Sequence, residues 1–245
     1  MRAGHEHVLG MQITGSKVFV TGSNRGLGRS LVEQLLERGA STVYAGARDV
    51  SSIAKHERVV PLRLDITRPE DVKEAASKVG ELDLLINNAG LLQSFGLVET
   101  QLDAIERDMR VNYFGTLAIT RALLPAIEKK KGAIANVLSI VSLASMPGLG
   151  GYSASKAAAY SLTQALRGEL GKRGVRVHAV FPGPIDTDMI KGFEMTKTQP
   201  GDVAKALLDG VARNDDDIFP DPMATQVGEE FSRTPKNVEK MFAAM

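Results

Sequence analysis

Short apolar runs alternate with longer segments along almost the whole chain. The runs are apolar nearly throughout, which is typical of parallel strands covered on both faces, and they predict strands at 17–21, 42–46, 58–65, 82–88, 132–140 and 175–182. A weaker seventh strand is predicted at 217–219. The segments between the runs predict helices at 26–38, 69–79, 99–127, 152–171 and 201–212, followed by short helices or a tail after Phe219.

This order of elements predicts an α/β fold. Strands that alternate with helices favour a doubly wound (Rossmann) parallel sheet of about seven strands, with right-handed crossovers and helices on both faces. The length of 245 residues, the 43% hydrophobic content and the lack of a break in composition favour one domain over residues 13–245. Residues 1–12 are interpreted as a flexible N-terminal extension, although Met11 is an alternative start of the fold.

The composition excludes several classes of function. A net charge of +1 gives no general attraction to nucleic acid or to acidic membranes. No apolar stretch approaches the ~20 residues that span a bilayer, and the N-terminus has no apolar segment of a signal peptide, so we expect a cytoplasmic protein. The chain has no cysteine, and its four histidines lack the spacing of metal ligands. We therefore expect no metal site.

A glycine-rich turn follows the first predicted strand. Gly22 comes directly after the strand, and Gly26 and Gly28 open the next helix. The N–H groups of a helix N-terminus bind phosphate, and glycines let the chain approach it closely. The turn therefore predicts a phosphate-binding site, although a packed strand–helix turn is the alternative reading.

Five segments resemble motifs of the short-chain dehydrogenases/reductases. They are "TGSNRGLG" (21–28), Asp65, "NNAG" (87–90), "YSASK" (152–156) and "PGPIDT" (182–187). They occur in the family's order over residues 17 to about 190 of this chain. The resemblance implies that residues 13–245 form an NAD(P)-binding catalytic domain.

Tyr152 and Lys156 are the candidate catalytic pair. They are four residues apart on a predicted helix and so share one face. A tyrosine titrates near ~10, and a neighbouring ammonium group is expected to lower that pKa. The resemblance further implies that Ser139 holds the substrate carbonyl, with Ser142 as the rival, and that Asn112 forms a kink that holds a water in a proton relay. Tyr152 would then protonate the carbonyl oxygen.

The resemblance implies an NADP(H) cofactor. Ala47 occupies the position where NAD-binding members carry an acidic residue, while Arg48 and Arg25 are placed to bind a 2′-phosphate. A shift of one residue would instead make Asp49 the ribose ligand and favour NAD. The other expected cofactor contacts are Gly22, Asn24, Gly26, Leu27, Gly28, Asp65, Ile66, Asn88, Ala89, Gly90, Lys156, Pro182, Gly183, Ile185 and Thr187.

The segment after Thr187 is expected to cover the substrate. It is short, and its apolar side is Met189, Ile190, Phe193 and Met195. The pocket would share these residues with Leu91, Leu92, Phe95, Met146 and Leu149. An accessible apolar pocket favours small or medium ketones and aldehydes.

Three functions follow from these features. The first is an NADPH-dependent reductase that converts a ketone or aldehyde to an alcohol. The second is a 3-oxoacyl-thioester reductase, and the third is a catalytically idle NADP-binding sensor, against which the intact set of four candidate residues argues. We expect a homodimer that pairs through the helices at 99–127 and 152–171, because the "DGG" C-terminus of many tetrameric members is absent.

Overall fold

A seven-stranded parallel sheet forms the centre of the computed structural model, which describes residues 10–245. The strand order is β3-β2-β1-β4-β5-β6-β7, which confirms the predicted doubly wound class. The strands are β1 (Lys17–Thr21), β2 (Thr42–Ala47), β3 (Val59–Arg63), β4 (Leu84–Asn87), β5 (Ala133–Val137), β6 (Arg176–Val180) and β7 (Asp217–Ile218).

Within residues 10–245, eight α-helices connect and flank the strands. They are α1 (Gly26–Glu37), α2 (Pro69–Ser77), α3 (Leu102–Met109), α4 (Thr116–Lys130), α5 (Gly150–Gly171), α6 (Pro200–Arg213), α7 (Pro222–Arg233) and α8 (Pro235–Ala243). Within the described residues, no helix is both long enough and apolar enough to cross a bilayer.

Alternating strand residues fill two separate cores. Val18 and Val20 on β1 pack with Leu31 of α1 and Leu207 of α6 on one face of the sheet. Phe19, between them, packs on the other face with residues of α2, α4 and α5. Successive side chains of a strand point to opposite faces, so a strand that is apolar throughout requires helices on both sides.

The predicted helix at 99–127 is interrupted. A π-helical segment, Arg110–Gly115, separates α3 from α4. Gly115 lies so close to the chain after β3 that a Cβ there would come 2.7 Å from Cγ1 of Ile66. β5 also ends earlier than predicted, at Val137, because Ser139 caps a 3₁₀ turn over Ile140–Ser142.

The structure describes the C-terminal end of the chain completely and the N-terminal end in part. The C-terminal segment forms α7 and α8, in agreement with the expected short helices. Residues 1–9 of the predicted extension lie outside the described residues. Met11, also assigned to that extension, is only 8% exposed and belongs to the core beside α1 and α6. The packed chain therefore includes residues before position 13.

Candidate active site

A cavity of about 850 Å³ opens at the carboxyl ends of the central strands. The chain runs outward from β1 through β2 to β3 and then crosses to β4 on the other side of β1, which opens a crevice between these two directions. The cavity brings together most of the predicted site residues: Gly22, Asn24, Arg25, Gly26, Leu27, Gly28, Arg48, Asp65, Ile66, Asn88, Ala89, Gly90, Leu91, Leu92, Ser139, Met146, Leu149, Tyr152, Lys156, Pro182, Gly183, Ile185, Thr187 and Met189.

Two predicted site residues lie outside the cavity wall. Phe95, expected in the substrate pocket, is 54% exposed, and its ring stacks on that of Phe193 at 6.0 Å between centroids. Phe193 itself lines the cavity, so Phe95 supports the wall from outside. Asn112 is buried behind Leu91, and its side chain bonds to protein groups.

The glycine turn fits a phosphate group at the start of α1. Gly22 has a φ of +66°, and a Cβ there would lie 2.9 Å from the Cα of Ala89. A Cβ on Gly28 would lie 2.0 Å from the carbonyl oxygen of Gly22, so this turn admits no side chain. No side chain caps the N-terminus of α1, which lines the cavity. Its free N–H groups are suited to bind an anion.

The charged residues near the end of β2 differ in whether their side chains already have partners. Ala47 is the buried last residue of β2, and Arg48, directly after it, is exposed in the cavity wall. Asp49 also lines the cavity, but its Oδ1 accepts hydrogen bonds from the N–H (2.9 Å) and Oγ (2.7 Å) of Ser51. These bonds hold the pKa of Asp49 below its ordinary value. Arg25 instead reaches across the opening, with its guanidinium 3.3 Å from Oδ2 of Asp188.

Polar groups after β3 and β4 brace the cavity. Oδ1 of Asp65 accepts bonds from the N–H (2.9 Å) and Oγ1 (2.7 Å) of Thr67. Burial alone would raise the pKa of Asp65, but these bonds and the charges of Arg48 and Arg68 lower it. Nδ2 of Asn88 donates to the carbonyl oxygens at the end of β1. Asn88 therefore holds β4 against the glycine turn, which leaves its Oδ1 for a ligand.

Tyr152 and Lys156 project from α5 into the cavity. Lys156 is 5% exposed; its Nζ donates to the carbonyl oxygen of Val137 at 2.9 Å and lies 5.8 Å from the centroid of the Tyr152 ring. Burial lowers the pKa of Lys156 to about 8, although the charge of Asp108 acts in the opposite direction.

The expected effect of Lys156 on Tyr152 is not seen. Burial, assisted by the negative charge of Asp108, raises the pKa of Tyr152 above its ordinary value, while hydrogen bonding with Ser139 opposes the rise. The prediction of a lowered pKa considered only the neighbouring lysine. It was wrong for this state of the protein because desolvation disfavours the phenolate more strongly.

Ser139 and Ser142 have different roles. Ser139 lines the cavity and caps the 3₁₀ turn, with its Oγ accepting from the N–H of Val141 at 3.4 Å. Ser142 is buried, and its Oγ accepts from the N–H of Ser139 at 3.2 Å. The hydroxyl hydrogen of Ser139 is free of this cap and can be donated to a ligand, whereas Ser142 supports Ser139.

Asn112 lies in the π-helical segment, where we expected a kink. Its Oδ1 accepts from the N–H of Leu91 at 2.9 Å, and its Nδ2 donates to the carbonyl oxygen of Leu91 and to Oγ of Ser155, both at 2.8 Å. Both amide hydrogens are thus committed. The side chain clamps Leu91 to α5, and its Oδ1 keeps a second lone pair that could accept from a relay water, which stays a prediction.

Several residues of the cavity and its surroundings were missed by the sequence reasoning, among them Met223 and Asp108. Met223, at the start of α7, joins Met146, Met189 and Met195 in the cavity wall. Asp108 on α3 is fully buried near Tyr152 and Lys156. An aspartate between arginines on an otherwise exposed helix gives no sequence signal of burial. The described residues contain no group of three side chains suited to hold a metal ion.

Comparisons with known proteins cover this whole region. A family model described as short chain dehydrogenase matches residues 16–198, which contain every site residue predicted from the sequence. An uncharacterized oxidoreductase of Staphylococcus saprophyticus is 36% identical over 206 residues, which span 77% of this chain and 88% of the relative.

Two solved structures are similar in fold. A short chain dehydrogenase from Burkholderia cenocepacia J2315 in complex with NADP has a TM-score of 0.91 and 40% identity, over 95% of this chain and 99% of that one. A 3-ketoacyl-(acyl-carrier-protein) reductase from Brucella melitensis complexed with NADH has a TM-score of 0.75 and 25% identity, over 87% of this chain and 93% of that one.

Proposed function

The chain belongs to the short-chain dehydrogenase family, and we propose from this premise that it is an NADPH-dependent reductase of ketones or aldehydes. The observation that carries the proposal is the convergence of Ser139, Tyr152 and Lys156 on the cavity that the glycine turn also borders. One end of the cavity thus offers phosphate-binding groups, and the other offers a proton donor.

The glycine turn, Arg48 and Lys156 would hold the cofactor. NADP(H) is favoured over NAD(H) because Arg48 is exposed in the cavity wall, whereas Asp49 lines the same wall with its Oδ1 already bonded to Ser51. The similar Burkholderia dehydrogenase was solved in complex with NADP, which supports the same choice. When bound, NADPH supplies the hydride that reduces a carbonyl carbon.

The chain's own residues would complete the reduction at the carbonyl oxygen. Negative charge would develop on this oxygen, and the hydroxyl of Ser139, which hydrogen-bonds with Tyr152 at the cavity, is placed to stabilise it. Tyr152 is held protonated by its raised pKa and donates its phenolic proton to the same oxygen. The Lys156 ammonium then stabilises the phenolate that remains. Oxidation of an alcohol would reverse these steps.

The cavity wall favours an apolar substrate. Met146, Met189, Met195 and Met223 all line it, together with Phe193. Methionine side chains are flexible and polarizable, and they make favourable contacts with aromatic rings. We therefore propose an apolar, preferably aromatic, ketone or aldehyde as the substrate. This extends the expectation from the sequence, which placed no residue of α7 in the substrate pocket.

A 3-oxoacyl-thioester reductase is the second candidate, favoured by the Brucella neighbour. Such an enzyme needs a basic surface near its cavity to dock an acyl carrier. The basic cluster of this chain, 129–131, ends α4 instead, where Lys130 lies 3.7 Å from Asp83 directly before β4. The cluster is therefore at the amino end of the sheet, opposite the cavity, so a carrier would have to dock on the exposed Arg107 and Arg110 at the cavity instead.

A panel of carbonyl substrates tests the proposal. NADPH oxidation would be followed with aromatic and aliphatic ketones, aldehydes, quinones and acyl thioesters. Tyr152→Phe should lower kcat at least about 100-fold, because it removes the general acid, and should leave the affinity for NADPH unchanged. Tyr160→Phe is the matched control, since this tyrosine lies on the same helix but packs against Phe181 outside the cavity.

The results of the panel separate the three functions. A preference for acyl thioesters would favour the second candidate. Binding of NADPH without turnover of any compound would favour the idle sensor, and full activity of Tyr152→Phe would refute the mechanism.

We also propose that the protein is a homodimer that pairs through α4 and α5. The exposed positions of α5 include Ala154, Ala157 and Ala165, whose small side chains allow a close helix approach. Phe114, beside α4, is 59% exposed and borders an apolar groove. Light scattering in solution tests this proposal, and a monomer at micromolar concentration would refute it. The cytoplasmic location stays a prediction.

A further inference from the structure

Asp108 is a buried carboxylate that the proposed reaction does not use. It lies on α3, is 0% exposed, and within residues 10–245 has no basic side chain within 4.0 Å. Its oxygens accept hydrogen bonds from the N–H of Gln93 (3.0 Å), the N–H of Ser94 (3.1 Å) and Oγ of Ser94. Burial of a charge is costly unless such bonds compensate it, so these donors are essential to the site.

The residues bonded to Asp108 belong to a loop that packs against the start of α5. We call residues 91–97 the β4 loop. A Cβ on Gly151 would come 2.4 Å from Oγ of Ser94, so the loop touches the residue directly before Tyr152. The N–H of Gly96 also donates to the carbonyl oxygen of Gly148 at 2.9 Å. A shift of this loop would therefore move the helical turn that carries Tyr152.

Asp108 and Asn112 hold the β4 loop together. They are four residues apart, at the junction of α3 and the π-helical segment. Asn112 bonds both backbone groups of Leu91, and Asp108 bonds Gln93 and Ser94. Leu91, Leu92 and Gln93 line the cavity. One stretch of helix thus fixes the cavity wall at one end and the start of α5 at the other.

We propose that Asp108 is a positioning residue: it holds the β4 loop against the start of α5 and places a fixed negative charge beside Tyr152 and Lys156. This inference rests on the proposed function of the site. Asp108 itself touches neither the substrate nor the cofactor cavity, since it is absent from the described cavity wall.

Asp108 is the negative charge that acts on the pKa values of Tyr152 and Lys156. Tyr152 and Lys156 are the titratable groups of α5 on which its charge acts, and it raises the pKa of both. The β4 loop contains only uncharged side chains. On its own helix, Arg107 is exposed and paired with Asp103 at 2.9 Å, and Arg110 is exposed. Loss of the Asp108 charge should therefore lower the pKa of Lys156.

Asp108→Asn tests the charge, and Ser94→Ala tests the positioning. The ¹³Cε resonance of Lys156, assigned with Lys156→Arg, should titrate near 8 in the wild-type protein. In Asp108→Asn it should titrate at a lower pH than in the wild-type protein, with kcat/KM reduced about tenfold or more. Ser94→Ala keeps the charge, so it should raise KM and leave the titration unchanged. Asp103→Asn, an exposed carboxylate on the same helix, should change neither.

The outcomes are separable from those of the proposed function. The titration requires no turnover, so it judges the charge effect even if no substrate is found. An unchanged Lys156 titration in folded Asp108→Asn would overturn the charge effect. Wild-type kinetics in Ser94→Ala would overturn the positioning role, and this variant also serves if Asp108→Asn does not fold.

Discussion

Arg48 is predicted to provide most of the discrimination between NADP(H) and NAD(H). It follows the buried end of β2 and is exposed in the cavity wall. Among residues 10–245 it has no carboxylate within 4.0 Å, whereas Arg25 lies 3.3 Å from Asp188. Arg48→Ala removes a charged donor that a 2′-phosphate would use and an unphosphorylated ribose would not. The affinity for NADP(H) should therefore fall while that for NAD(H) changes little.

The expected loss of NADPH affinity in Arg48→Ala depends on how exposed the arginine is to solvent. A hydrogen bond to a charged group contributes about 1.5–3 kcal/mol, and solvent screening of an exposed arginine reduces this to about 1–1.5 kcal/mol. This corresponds to a loss of about 5–15-fold in NADPH affinity. Arg25 has to leave Asp188 before it can bind a phosphate, so part of its contribution is offset. Asp188→Asn should accordingly strengthen NADPH binding, by up to about fivefold for an exposed ion pair.

Fluorescence titration with NADPH and NADH measures these affinities without a known substrate. Arg29→Ala is the matched control, because Arg29 is an exposed arginine of α1 outside the described cavity wall. The difference between Arg48→Ala and wild type should shrink as salt is raised, since exposed charges are screened. An equal loss of affinity for both cofactors, or no loss for NADPH, would refute the assignment of Arg48.

Three further predictions concern the site. Gly28→Ala should unfold or strongly destabilise the glycine turn, because its Cβ would lie 2.0 Å from the carbonyl oxygen of Gly22; chemical denaturation measures this, with Gly168→Ala, which meets nothing within 4 Å, as the control. Carbonyl reduction should slow as the pH rises through about 8, where Lys156 loses its proton; a rate that is constant to pH 10 would contradict this. Burial of charged Lys156 lowers the free energy of unfolding at pH 7. This cost is relieved as the pH rises from about 8, the pKa of Lys156 in the folded protein, to 10.5, its ordinary pKa in the unfolded chain. The stability advantage of Lys156→Met, measured by urea unfolding, should therefore shrink over that pH range.

The local sequence was sufficient to predict the strands and helices, but not the interruptions and contacts that depend on distant residues. β1 was predicted at its observed bounds because an apolar run stops at a glycine turn. The kink at Asn112 was expected only from the family resemblance, because its π-helical form accompanies bonds between Asn112 and Leu91, 21 residues apart. Similarly, the pairing of Arg25 with Asp188 joins residues 163 positions apart. Such contacts depend on the folded chain and leave no local pattern.

The motif spacing also located Tyr152 and Lys156 but not their protonation. Helical spacing places both on one face, and this much follows from residue numbers. Their pKa values depend on burial and on Asp108, which comes from another helix. A sequence argument that knew only the neighbouring lysine therefore predicted the wrong direction for Tyr152.

The protonation of this pair bears on how the rates of reduction and oxidation depend on pH. The raised pKa keeps Tyr152 protonated near neutral pH, so it begins as a proton donor and needs no prior ionisation. With a pKa of about 8, Lys156 is mostly charged at pH 7 and can stabilise the phenolate once the proton has left. Oxidation of an alcohol would require Tyr152 to begin as a base, which both burial and Asp108 oppose. We therefore predict that alkaline pH, which favours ionisation of Tyr152, increases the rate of alcohol oxidation relative to that of carbonyl reduction.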